Sequence, residues 1–163
     1  MVRREKVSRM KISISIPEWH EMAERGEAPP MRILIRGNSM YPLIRINRDY
    51  VTIQPLEERP AVGDIVLFFD PRRENCYVLH RVWRTEEDRV LTWGDNCDSP
   101  DQWLTWDAVW GKATLIERGK RTIRPDPRKG MVQARFWHAA GRCWRLALSI
   151  ARRIKRGLKK LRK

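Results

Sequence analysis

Isoleucine and polar residues alternate from Lys11 to Pro17 (KISISIP), the period-two pattern of a short strand. PEWHEMAERGEAPP follows and reads as a helix. Pro17 suits its start, Glu18 and Glu21 its first turn, and Gly26 its end. Trp19 and His20 on it read as packing or surface residues. From Met31 onward short apolar runs recur between turn residues. MRILIR, DYVTIQPL from Asp49, Ile65–Phe69, YVLHRVWR and RVLTW each predict a strand, and AVWGKATLIERGKRTI predicts the closing strand or strands. PRRENC reads as a hairpin loop, and Gly63-Asp64 as a turn. The pattern predicts a mainly β body with a short N-terminal helix. No internal repeat is visible.

The period changes again near the C-terminus. RPDPRKG, Arg124 to Gly130, reads as a linker. Beyond it Phe136, Ala140, Cys143, Trp144, Ala147, Ile150, Ala151, Ile154, Leu158 and Leu161 recur at three- and four-residue steps. Basic residues flank that stripe. The expected organisation is an N-terminal strand and helix (1–30), a β domain (31–124), a linker (125–130) and a basic amphipathic helix (131–163).

Composition changes one part of this picture. The 163 residues carry a net charge of +14, which suggests nucleic acid until it is divided along the chain. From Pro125 onward there are 13 Lys or Arg against one acid, Asp126, so the tail carries +12 and residues 1–124 only +2. The tail fits either a helix docked on the body with a solvated basic face or one lying in a membrane interface. Nucleic-acid binding is disfavoured, because the body shows no aromatic and basic groove and no recognised motif. No apolar run reaches the roughly 20 residues of a membrane-spanning helix, and no secretory signal is seen, so a cytoplasmic location is expected. Three widely spaced cysteines, Cys76, Cys97 and Cys143, make neither a disulfide framework nor a zinc pattern, and no cofactor or metal is expected.

The stretch RILIRGNSMYPLIR concentrates the chemistry. Ser39 stands at the end of a strand behind Gly37 and before Met40. A serine nucleophile needs a neighbouring base, held and charge-stabilised by an acid. His80, in YVLHRV, is the histidine of the β body; His20 lies on the N-terminal helix and His138 in the tail. No lysine occurs between Lys11 and Lys112, and arginine keeps its proton. A nucleophilic Ser39 therefore relies on His80. GDNCDSPD offers Asp95, Asp98 and Asp101 as acids.

GNSMYP, VGDIVLFF, YVLHRV, LTWGDN and GKATLI, in that order from about Arg32 to Ile123, resemble type I signal peptidases of the archaeal and endoplasmic-reticulum type. The clan also contains the self-cleaving SOS-repressor peptidases. The resemblance implies a coiled β-sheet fold and a serine endopeptidase that cuts a leader or signal-like peptide after small residues. It implies Ser39 as nucleophile and His80 as general base, where bacterial signal peptidases and repressor peptidases have lysine. It implies Asp101 as triad acid with Asp95 as a supporting or alternative acid, Asp98 as loop surface, and Met40 as apolar floor beside Gly37. The Ser39 N–H is the expected oxyanion donor. Cys97 is expected to be a buried, inert thiol with no histidine arranged for it. Trp93, Trp103, Trp106 and Trp110 are expected mostly to pack, one or two shaping the cleft or touching lipid.

The chain departs from that family in two ways. No transmembrane anchor is seen in it, so a cytoplasmic processing role, with the tail as a peripheral contact on the inner face of the membrane, is expected rather than general signal-peptide removal. The Gly-Asp turn expected about ten residues after the serine reads Asn47-Arg48-Asp49. The competing expectations are a non-catalytic membrane-surface or peptide-binding module and, less favoured, a self-cleaving repressor. No helix-turn-helix precedes the β body to support the latter.

Overall fold

A computed structural model describes residues 14–70 and 76–141. Eight antiparallel strands form one sheet. They are β1 (Met31–Leu34), β2 (Asp49–Pro55), β3 (Ile65–Phe69), β4 (Tyr77–Thr85), β5 (Arg89–Trp93), β6 (Trp103–Thr105), β7 (Val109–Arg118) and β8 (Arg121–Ile123). The order is β1-β2-β7-β3-β4-β5-β6, with β8 paired to β7. Bulges at Thr52/Ile53, Leu67/Phe68 and Val82/Arg84 interrupt the register. Such bulges increase local twist, which is how a sheet of this width coils rather than lying flat.

Alternation along β3 explains the two cores. Ile65 and Leu67 join Trp19, Met40, Ile44, Val51, Ile53 and Ile116 on one side. Val66 and Phe68 join Val82, Val90, Leu104 and Val109 on the other. A strand buried on both faces reads as the unbroken apolar run IVLFF. Each fully buried Ile, Leu or Phe contributes roughly 1.5–3 kcal/mol relative to exposure.

The N-terminal helix α1 spans Ile16–Glu24. Ser15 and Glu18 make a reciprocal capping box, and the proline falls in the first turn, as such residues favour. Ser15 is therefore a helix cap and not part of a strand. The rest of the predicted KISISIP strand lies outside the described residues. Trp19 is buried with its indole N–H donating to Pro29 O at 2.7 Å, and His20 stacks on Trp110, so both pack. β6 is a strand that the sequence pattern did not predict; three residues are too few to show a period.

The linker expectation for 125–130 is corrected. Asp126 accepts the Lys129 N–H at 2.9 Å as an N-cap, and a helix, α2, runs over 127–141. Asp-Pro with flanking charge is a helix start as well as a linker signal, and packing selects the former. α2 docks on the body through Met131, Ala134 and His138. Gly130 is required there, because a Cβ would lie 2.3 Å from the Arg81 guanidinium. Phe136, at the head of the expected apolar stripe, is 66% exposed, and Val132 is 71% exposed. The face that docks is thus that of Met131, Ala134 and His138, and the stripe begins on the exposed side. Residues 142–163, which hold the rest of the stripe, lie outside the described residues.

Candidate active site

β1 and the segment after it carry Ser39 to the wall of a cleft of about 920 Å³. The loop 35–49 that holds the serine is tied down at both ends. Ile35 N–H donates to Asp49 O at 3.2 Å, and Asn47 N–H to Ile35 O at 2.8 Å. Asn47 has φ +53°, a left-handed conformation that asparagine tolerates, so it supplies the turn expected of a glycine there. Asp49 is buried. Burial pushes its carboxyl pKa up, but hydrogen bonds from Arg118 and the Arg45 N–H outweigh this and hold it below the usual range. The charged pair therefore anchors the serine loop to β7.

His80 reaches the same cleft from the middle of β4, opposite Val66 of β3. Its Nδ1 lies 2.6 Å from Asp101 Oδ2. Asp101 also accepts the Thr92 hydroxyl at 2.7 Å, and its N–H donates to Thr92 O at 2.9 Å. β5 thus fixes the acid, and the acid fixes the imidazole. Both side chains are largely buried, at 8% and 13% exposure. Burial lowers the pKa of His80. The Asp101 hydrogen bond, the Cys97 sulphur and the Asp101 charge outweigh it and raise the pKa from 6.5 to about 9.

Asp95 takes another role. Its two oxygens accept Arg81 Nε at 2.8 Å and Nη2 at 2.6 Å, a bidentate pair with both side chains at most 2% exposed. Arg81 Nη1 also donates to Gly63 O at 2.8 Å. Alternation along β4 puts Arg81 on the strand face opposite His80, so Asp95 meets the arginine and not the imidazole. Of Asp95 and Asp101, it is Asp101 that faces the histidine. The first lysine after Lys11, Lys112, pairs with Asp64 at 3.4 Å, away from the cleft.

The loop that carries Asp95 also reaches the serine. Asn96 N–H donates to Ser39 O at 2.7 Å, and Asn96 Nδ2 to Asn38 O at 3.3 Å. Met40 is 2% exposed in the core and lines the cleft, and Gly37 lines it where a Cβ would meet open space. Ser39 Oγ makes no hydrogen bond to His80; its backbone N–H donates to no described group. Gly94 shows how closely the parts converge. A Cβ there would lie 2.7 Å from Cys97 Sγ, 2.8 Å from His80 Nε2 and 2.8 Å from Ser39 O. If Ser39 and His80 work as nucleophile and base, Gly94→Ala is expected to lower the rate about 100-fold, the order of loss for a displacement near 1 Å. Full activity in that variant would mean that these three groups do not form one working centre.

The expectation that Cys97 is buried with no histidine arranged for it is corrected. Its Sγ lies 3.9 Å from His80 Nε2, and it is partly exposed. The sequence motif could not reveal this, because the turn Gly94–Cys97 folds the sulphur back over β4. Thr92 and Arg81 were also missed. Trp93 Nε1 donates to Cys97 O at 3.1 Å, and buried His138 of α2 lies against Trp93 with ring centroids 4.0 Å apart. The tryptophans pack rather than line the cleft: Trp110 against Phe69 and Tyr77, Trp93 against Trp83, and Trp103 and Trp106 beneath Arg89 and Arg59.

A base with a pKa near 9 is mostly protonated at neutral pH. A reaction that uses His80 as its base is therefore expected to speed up about tenfold per pH unit up to about 9 and then level off. Because the folded pKa lies above the unfolded 6.5, the stability from this group is complete below 6.5 and is lost as pH rises through 9. A kcat/KM profile that peaks at or below pH 7 would contradict this. Among the described residues, no helix is long and apolar enough to cross a membrane, and no three His, Cys, Asp or Glu side chains are grouped to hold a metal. No protein-family model matches the sequence, and no curated protein matches it.

Proposed function

We propose that this protein is a serine endopeptidase of the signal-peptidase type, cleaving a leader-like peptide after small residues. One observation carries the proposal: the buried His80–Asp101 pair opens on the cleft lined by Ser39. In the reaction, Ser39 Oγ attacks the scissile carbonyl while His80 Nε2 takes its proton. The imidazolium formed is stabilised by Asp101. The tetrahedral oxygen is met by the Ser39 N–H, and His80 then returns the proton to the leaving amine. Ser39 needs a side-chain rotation, or substrate, to bring Oγ to Nε2. Catalytic hydrogen bonds of this kind often tighten only with substrate bound. β1 is the terminal strand of the sheet order, so an extended peptide can add to its outer edge beside Ser39.

The site of action proposed is the inner face of the membrane. Val132 and Phe136 project from α2 into solvent among Arg128, Lys129 and Arg135, and the basic stripe 142–163 continues from them in sequence. Sedimentation with anionic vesicles is expected for the full chain and not for a chain ending at residue 141, which keeps the docked helix. Equal sedimentation of both would remove the membrane assignment.

The test of activity is a mixture of leader-bearing peptides with anionic vesicles, new termini being read by mass spectrometry. Cuts after small residues should appear and be absent in Ser39→Ala and His80→Ala. No cuts with the wild-type chain, or cuts indifferent to Ser39, would favour the peptide-binding module instead.

A further inference from the structure

Cys97, His80 and Asp101 form a line: sulphur to Nε2 at 3.9 Å, Nδ1 to carboxylate at 2.6 Å. A nucleophile beside a base that is oriented by a third group is the arrangement that activates thiols. It is the Cys97 sulphur, rather than the Ser39 hydroxyl, that lies against Nε2 in this arrangement. Cys97 lines the cleft and is partly exposed, so the cleft gives small reagents a route to it. Its turn is held by Trp93 and, behind that ring, by His138.

We propose that Cys97 is a reactive thiol of this cleft, modified by hydroperoxides and soft electrophiles, and that its oxidation takes His80 away from Ser39. The second half rests on the peptidase reading; the first does not. In the reaction, the thiol proton passes to His80 Nε2 and the sulphur attacks one peroxide oxygen. The O–O bond breaks, and the leaving alkoxide takes the proton back from Nε2. A thiol and a hydroperoxide thus give a sulfenic acid and an alcohol, or water from hydrogen peroxide. Sulphur is oxidised and the peroxide reduced. The added oxygen stands between sulphur and imidazole, where it occupies the base that Ser39 requires. Two equivalents of a small thiol return Cys97 to the thiol, releasing water and a disulfide. Cys76 lines the same cleft without a histidine contact, and so serves as an internal reference.

The experiment uses the full chain. Iodoacetamide labelling at pH 7 is followed residue by residue by mass spectrometry. Cys97 is expected to react at least about tenfold faster than Cys76, and that excess should vanish in His80→Gln while Cys76 keeps its rate. The steady Cys76 rate shows that the variant is folded; should it rise, Asp101→Asn, which frees the imidazole from its acid, replaces it and should reduce the excess. Equal rates in the wild type, or a Cys97 excess indifferent to both variants, would overturn the proposal. In a second arm one equivalent of hydrogen peroxide should cut peptide cleavage more than tenfold, with recovery in dithiothreitol. Whatever rate Cys97→Ser has should survive the same treatment. Equal loss in Cys97→Ser would overturn the regulatory half. If the wild-type chain cuts no peptide, the labelling arm still decides the thiol, and it is the peptidase reading that fails.

Discussion

Asp101→Asn is expected to lower kcat/KM for the proposed leader-peptide cleavage by about four orders of magnitude, the loss expected when a triad carboxylate becomes an amide. The carboxylate now accepts from both His80 Nδ1–H and the Thr92 hydroxyl on one oxygen. An amide placed there either turns its NH2 toward Nδ1, forcing the proton onto Nε2, or keeps its oxygen in place without the charge. In the first case Nε2 cannot accept the Ser39 proton; in the second the imidazolium loses its stabilising partner. Folding survives, since the amide keeps the volume. Cleavage kinetics beside a thermal melt separate the two effects. Retained activity with an unchanged melt would remove Asp101 from the catalytic centre. The pH limb supplies a second readout: without the carboxylate, the apparent pKa near 9 falls toward or below the ordinary histidine value.

Asp95→Ala destabilises the fold by about 3–5 kcal/mol, the range for breaking a buried ion pair by removing one partner. Arg81 is fully buried, and the loss of Asp95 leaves Gly63 O as the acceptor for its guanidinium among the described residues. The first turn of α2 rests on that guanidinium at Gly130, so the helix loosens with it. The double variant Arg81→Met, Asp95→Leu should recover most of the loss, because no orphaned charge remains. Urea unfolding of the two single variants and the double variant measures this. A loss below about 1 kcal/mol for Asp95→Ala would show that the pair is not structural. The two carboxylates thus separate by readout: Asp101 in kinetics at nearly constant stability, Asp95 in stability.

Most of the sheet was legible in the sequence. β2, β3, β4 and β5 follow from their alternating or continuous apolar runs, and α1 from its proline, acids and glycine. These signals are local, and a strand or helix buries its own pattern wherever it packs. Three features were not legible. β6 is too short to show a period. The start of α2 shares its residue types with a linker. The buried face of α2 depends on Gly130 meeting Arg81 and His138 meeting Trp93, contacts between segments some 50 residues apart in sequence.

By itself the sequence determined the candidates: one serine behind a strand, one histidine in the β body, no lysine to replace it, and three aspartates in one loop. The residues alone did not order the three acids, since a turn rich in Asp, Asn, Ser and Pro satisfies many arrangements, and the resemblance favoured Asp101 while keeping Asp95 as an alternative. Tertiary structure decided that order. Opposite faces of β4 send His80 and Arg81 in opposite directions, and each meets a different carboxylate. Likewise only the folded turn brings the Cys97 sulphur back over the imidazole. Spacing along the chain carries information about a residue's own element; which atoms meet across elements is decided by strand register and packing.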